Sequence, residues 1–119
     1  MSTLKNYMMI FRYSPNPEYQ PTEADLSQQR QAWGAFIGNI AIQEKLDSTH
    51  QLGFEGVQIA ADTSTQEGIH ISEGYTMGGN MIVKAQSMEE AVTMAKGCPI
   101  LHMGGTVEVR DIIPMESQR

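Results

Sequence analysis

Lys96-Gly97-Cys98-Pro99, followed by Leu101-His102-Met103-Gly104-Gly105-Thr106-Val107-Glu108-Val109-Arg110, is the stretch whose reading decides the fold. It predicts a helix that stops at a glycine, an exit enforced by proline, a glycine pair and a closing strand. Ahead of it, Ser87 opens the helix as an N-cap and Glu90 completes a capping box. Met88, Ala91, Val92 and Ala95 recur at i, i+3, i+4 and i+7, so one helix face packs on a sheet. Gly97 is expected at the C′ position. The strand, from about Thr106 to Ile113, sends Val107 and Val109 to one side and Glu108 and Arg110 to the other.

Working outward, Gly78-Gly79-Asn80-Met81-Ile82-Val83-Lys84-Ala85 reads as a buried strand. The first strand, Asn6 to Tyr13, is apolar on both sides and ends at Ser14-Pro15-Asn16-Pro17, where proline cannot donate to a ladder. Thr22 caps a long helix, with Asp25 three residues on in a near capping box. Leu26, Trp33, Phe36, Ile37, Ile40 and Leu46 set its apolar stripe over residues 23 to 46, and Trp33 is expected to be substantially buried. Gly34 and Gly38 share a face of this helix and cost roughly 1 kcal/mol each relative to alanine. They signal either close packing on the sheet or a groove open to a ligand or partner. Between helix and third strand, Thr49 to Gln51 opens a strand that Gly53 and Gly56 interrupt and Val57-Gln58-Ile59 continues. Asp62-Thr63-Ser64-Thr65 is a polar turn, and Gly68 to Ile71 is expected to return as a hairpin arm.

The order of elements fits one domain over residues 1–119 of the α+β class, a ferredoxin-like βαββαβ fold. Two helices then cover one face of an antiparallel sheet of spatial order 4-1-3-2. Met8 and Ile10 leave the helix-free face apolar, and one chain of this length has no third layer for it. A homodimer pairing two sheets face to face is the physical answer.

Composition narrows the function classes. The chain is 40% hydrophobic and 18% charged, with a formal charge of −6. Nucleic-acid binding is not expected, because the eight basic residues are scattered and counterion release needs clustered ones. The single Cys98 can form no internal disulfide and no metal site alone, and it fits a reducing cytoplasm. The apolar run Tyr7 to Phe11 is too short for a membrane span or signal-peptide core. His50, His70 and His102 show no HxH or HxxxH spacing, so neither a metal nor a haem is expected, and no cofactor motif is found. Cys98 follows a helix end, the wrong pole for thiolate activation, and reads as a small packing residue.

The chain resembles the YCII-related (DGPF-type) domains over nearly its whole length. The likeness rests on Tyr7-Met8-Met9-Ile10, the Trp33 helix, Leu52-Gly53-Phe54-Glu55-Gly56, Gly78-Gly79, the Ala95-Lys96-Gly97-Cys98-Pro99 exit and Val107-Glu108-Val109-Arg110. The resemblance implies a dimeric α/β barrel, a fold that serves monooxygenases, isomerases and haem proteins alike. It also implies an alternative role, since some members are encoded with or fused to sigma-factor-like transcription proteins: a regulatory protein-binding module without catalysis. A structural dimer without turnover is a third reading. Where the family carries Asp-Gly-Pro-Phe this chain has Glu73-Gly74-Tyr75, and no histidine precedes His50. The histidine-aspartate pair credited to one branch is therefore not carried over.

The remaining chemistry lies on the strands. Glu108 and Arg110 should face the opposing sheet, with Arg12 ending the neighbouring strand. Charges entering an interface must be paired or must reach water or an anionic ligand. The trio reads either as a salt-bridge network or as a cleft where Arg12 or Arg110 binds a small carboxylate, with Tyr75 and Lys84 at its mouth. No general base is evident, and whether the protein is an enzyme stays open.

Overall fold

The computed structural model describes residues 4–16 and 18–115. Its elements run β1 (Lys5–Tyr13), α1 (Glu23–Ile42), β2 (Leu46–Gln51), β3 (Val57–Ile59), β4 (Thr65–Glu67), β5 (Thr76–Ala85), α2 (Met88–Ala95), a 3-10 helix (Pro99–Met103) and β6 (Thr106–Asp111). The main sheet is antiparallel in the order β2-β5-β1-β6, the expected ferredoxin-like arrangement. Alternation sends Tyr7, Met9 and Phe11 of β1, with Met81, Val83 and Ala85 of β5, under the helices. There they meet Phe36 and Ile40 of α1, Ala91 and Ala95 of α2, and Cys98 and Ile100. Met8, Ile10 and Arg12 point to the other, helix-free face and are only half-buried.

Both helices start where the sequence predicts. The Thr22 hydroxyl accepts from the Asp25 amide and the Asp25 carboxylate accepts from the Thr22 amide, a full capping box. At α2, Ser87 accepts from the Glu90 amide, while Glu90 reaches one residue further back, to the Gln86 amide. Their ends differ from expectation. α1 stops at Ile42 and not at Leu46, because Glu44 turns into the left-handed region (φ 59°). The Glu44 amide bonds the Ala41 carbonyl and the Lys45 amide bonds the Ile40 carbonyl, which is a Schellman ending without its usual glycine. Leu46 thus opens β2. Conversely, Gly97 is not the left-handed residue expected after α2. Lys96 caps that helix in right-handed geometry, and the positive φ falls on Gly104 (81°), after the 3-10 helix that Pro99 begins.

Packing corrects the close-packing expectation for the helix glycines and agrees with that for Trp33, which packs against the core. A Cβ at Gly34 or Gly38 would meet nothing within 4 Å, so neither is there for close packing on the sheet; both face outward. Trp33 is half-buried, set edge-on against Phe11 at 5.3 Å and Phe36 at 6.0 Å. The close approaches lie elsewhere. A Cβ at Gly79 would sit 2.5 Å from the His50 carbonyl oxygen, and one at Gly105 2.6 Å from that of Arg12.

Val57-Gln58-Ile59 does not continue β2. It pairs with β4 in a separate two-stranded sheet, and β4 is Thr65–Glu67, so Gly68 to Ile71, expected as the returning arm, lies outside it. The turn between them is closed by the Asp62 carboxylate, which accepts from the Ser64 amide and hydroxyl and is held below its ordinary pKa by those bonds. β6 likewise ends at Asp111 and not at Ile113. No residue from 47 to 75 belongs to the core. The molecule has extents of 49 × 45 × 19 Å and a radius of gyration of 16.3 Å. A compact domain of this length has about 13.5 Å.

Candidate functional site

A cleft of about 830 Å³ opens where the arm leaves the sheet, at the Arg12 end of the helix-free face. Arg12, Thr76 and Thr106 come from the sheet; Glu55, Gln58 and His70 come from the arm. The Gln58 side chain donates to the Gly68 carbonyl oxygen at 3.3 Å, and its Oε1 lies 3.3 Å from His70 Nδ1. The Thr76 hydroxyl donates to the His70 carbonyl oxygen at 2.8 Å. These bonds tie the root of the arm to β5 and so give the cleft a fixed wall.

Arg12 and Glu108 are brought together. Register sets Arg12 opposite Thr106 and Ile10 opposite Glu108, so the pair is diagonal across β1 and β6. Arg12 Nη1 donates to Glu108 Oε1 at 2.7 Å, with the side chains 39% and 46% exposed. One of five guanidinium donors is thereby engaged. Arg110 shares this face, opposite Met8, and forms no ion pair among the described residues. Tyr75 stands at the cleft, and its hydroxyl donates to the Gly104 carbonyl oxygen at 3.2 Å. It closes a tight turn from Ser72, with Glu73 (φ 53°) and Gly74 (φ 83°) both left-handed. Lys84 is on the same face but opposite Asn6, at the far end of β5. Nine residues of strand separate it from Tyr75, about 30 Å, so one chain does not set both at one mouth.

The sequence reading missed Gln58 and His70 as wall residues. Their signal was the alternation of each with apolar neighbours, Val57 and Ile59 around one and Ile69 and Ile71 around the other. Three residues of alternation are too few to fix the place of a strand, and a β2 continued through Val57-Gln58-Ile59 hides the arm. No group of three metal-ligating side chains is found among the described residues. His50 lies opposite Asn80 in the register of β2 and β5, and His102 is on the 3-10 helix. Asn80 Oδ1 is buried without a hydrogen-bond partner, near the middle of the helix-free face. Cys98 is fully buried, and desolvation pushes its thiol up to about 11.

A second, larger groove of about 1110 Å³ runs between α1 and α2 on the opposite side. Its polar lining mixes neutral amides (Gln28, Gln29, Asn39, Gln43) with Asp25, Glu90 and His102, and its Lys45 is paired with Glu90 at 3.3 Å. No helix among the described residues is long and apolar enough to cross a membrane.

The sequence profile of the YCII-related domain matches residues 6–116. No curated protein matches the chain.

Proposed function

The chain belongs to the YCII-related family, and from that premise we propose that it works in the cytoplasm as a homodimer that binds a small anionic molecule in the Arg12 cleft. The observation that carries this reading is a guanidinium with unused donors, set in a cleft beside an apolar sheet face. Glu108 fixes the orientation of Arg12, and the free side of the fork suits a carboxylate. Glu55 and Glu73 also line the cleft, which disfavours a polyanion and favours a guest with one negative charge. Tyr75 frames the opening. Arg110 stands one row beyond Glu108 on the same face, and Lys84, at the far end of the face, reaches this region only from a second subunit. The reading is one of binding; no reaction is assigned.

Native mass spectrometry of the purified protein, followed by NMR titration with a panel of small monocarboxylates, tests it. Wild type should bind at least one acid of the panel, and Arg12→Gln should lose that binding while keeping its mass and melting temperature. Unchanged affinity in Arg12→Gln, or no binding by wild type, overturns the reading.

A further inference from the structure

The arm of β3 and β4 has the properties of a contact element. A two-stranded hairpin is marginal in water without something to pack on, yet this one adds nothing to its own core. Register places Val57, Ile59, Thr65 and Glu67 on one face of it. Ile59 on that face and Phe54 at its root are each 71% exposed. The sequence holds no lysine or arginine between Lys45 and Lys84, while Glu55, Asp62, Glu67 and Glu73 give residues 54–75 an acidic character. The opposite charge lies on the helix-free face at the end away from the arm, where Lys84 and Arg110 stand in adjacent rows without ion pairs among the described residues.

Surface area agrees. The protein exposes 8923 Å², whereas a compact monomer of 13.2 kDa exposes about 6,400 Å². Residues outside the description account for at most about half of that surplus, since an extended chain exposes about 160 Å² per residue. What remains exceeds the roughly 800 Å² that each partner gives to a standard interface.

We propose that the arm clasps a second copy of this chain, laying its Val57 and Ile59 face and its carboxylates on the Lys84 and Arg110 end of the partner's helix-free sheet. The proposal rests on the dimer of the preceding subsection. An isologous pair with opposed strand directions brings each arm to the other subunit's cationic end, so both contacts form at once. The same arrangement carries the partner's cations towards Glu55 and Glu73, easing the charge that an anionic guest would meet in the cleft.

Sedimentation equilibrium on wild type, on Val57→Ser/Ile59→Ser, on Lys84→Glu and on Lys84→Glu/Glu67→Lys tests this. Circular dichroism serves as the check of folding. Wild type should be dimeric. The apolar variant and Lys84→Glu should each weaken the dimer roughly tenfold or more, because lost apolar contact and like charges across an interface are both costly. The double charge variant should recover most of that loss. A monomeric wild type overturns the dimer reading and this inference with it. A dimeric wild type whose affinity neither variant changes overturns the arm's role alone. A double variant no tighter than Lys84→Glu overturns the charge pairing.

Discussion

Glu44 shows how one residue can redraw a boundary. A non-glycine residue in left-handed geometry costs roughly 1–2 kcal/mol, and its carboxylate stands at the negative end of the α1 dipole. Glu44→Gly should therefore raise stability by about 1 kcal/mol after the added chain entropy of glycine, measured by urea unfolding. Because the sequence places glutamate where a stop signal is usually glycine, the end of α1 was not legible and Leu46 read as helical. Cys98 carries a second prediction. Its folded pKa of about 11 lies above the ordinary 9.0, so the folded chain holds this proton more tightly than the unfolded one. The contribution is whole below pH 9 and is lost as pH rises towards 11, in total on the order of 2 kcal/mol. Melting temperatures should fall across that window in wild type, and the fall should be shallower in Cys98→Ala.

At the scale of elements, the main sheet was legible and the arm was not. Each long strand and helix carries a period of its own: Tyr7, Met9 and Phe11 alternate, and Met88, Ala91, Val92 and Ala95 follow a helical stripe. Thr22 and Ser87 mark both starts with side chains that accept from backbone amides. In contrast, β3 and β4 span three residues each, too few for a period, and their place depends on tertiary contacts. The glycines were legible as special but not in role. Gly34 and Gly38 face solvent, whereas Gly79 lets β5 approach β2 at His50. Gly79→Ala should cost roughly 2–3 kcal/mol, the upper range for overpacking, because backbone must move to admit the Cβ. Gly38→Ala should instead stabilise α1 by about 1 kcal/mol. Denaturant midpoints of the two variants moving in opposite directions would bear this out.

For the whole molecule, the site was half legible. Arg12 and Glu108 could be placed together because the order of strands fixes who neighbours whom. The cleft wall of Gln58 and His70 could not, since it belongs to the arm. What unites the observations is a sheet covered on one side only. Met8, Ile10 and Ile82 are half-buried there, and Asn80 Oδ1 lies buried among them without a hydrogen-bond partner. A second copy would cover the apolar side chains and could offer that oxygen a donor. The most direct test is the solution mass of the wild-type protein at low micromolar concentration by sedimentation equilibrium. Twice the chain mass of 13.2 kDa is the predicted result. A mass of 13.2 kDa for a chain that circular dichroism shows to be folded would contradict it.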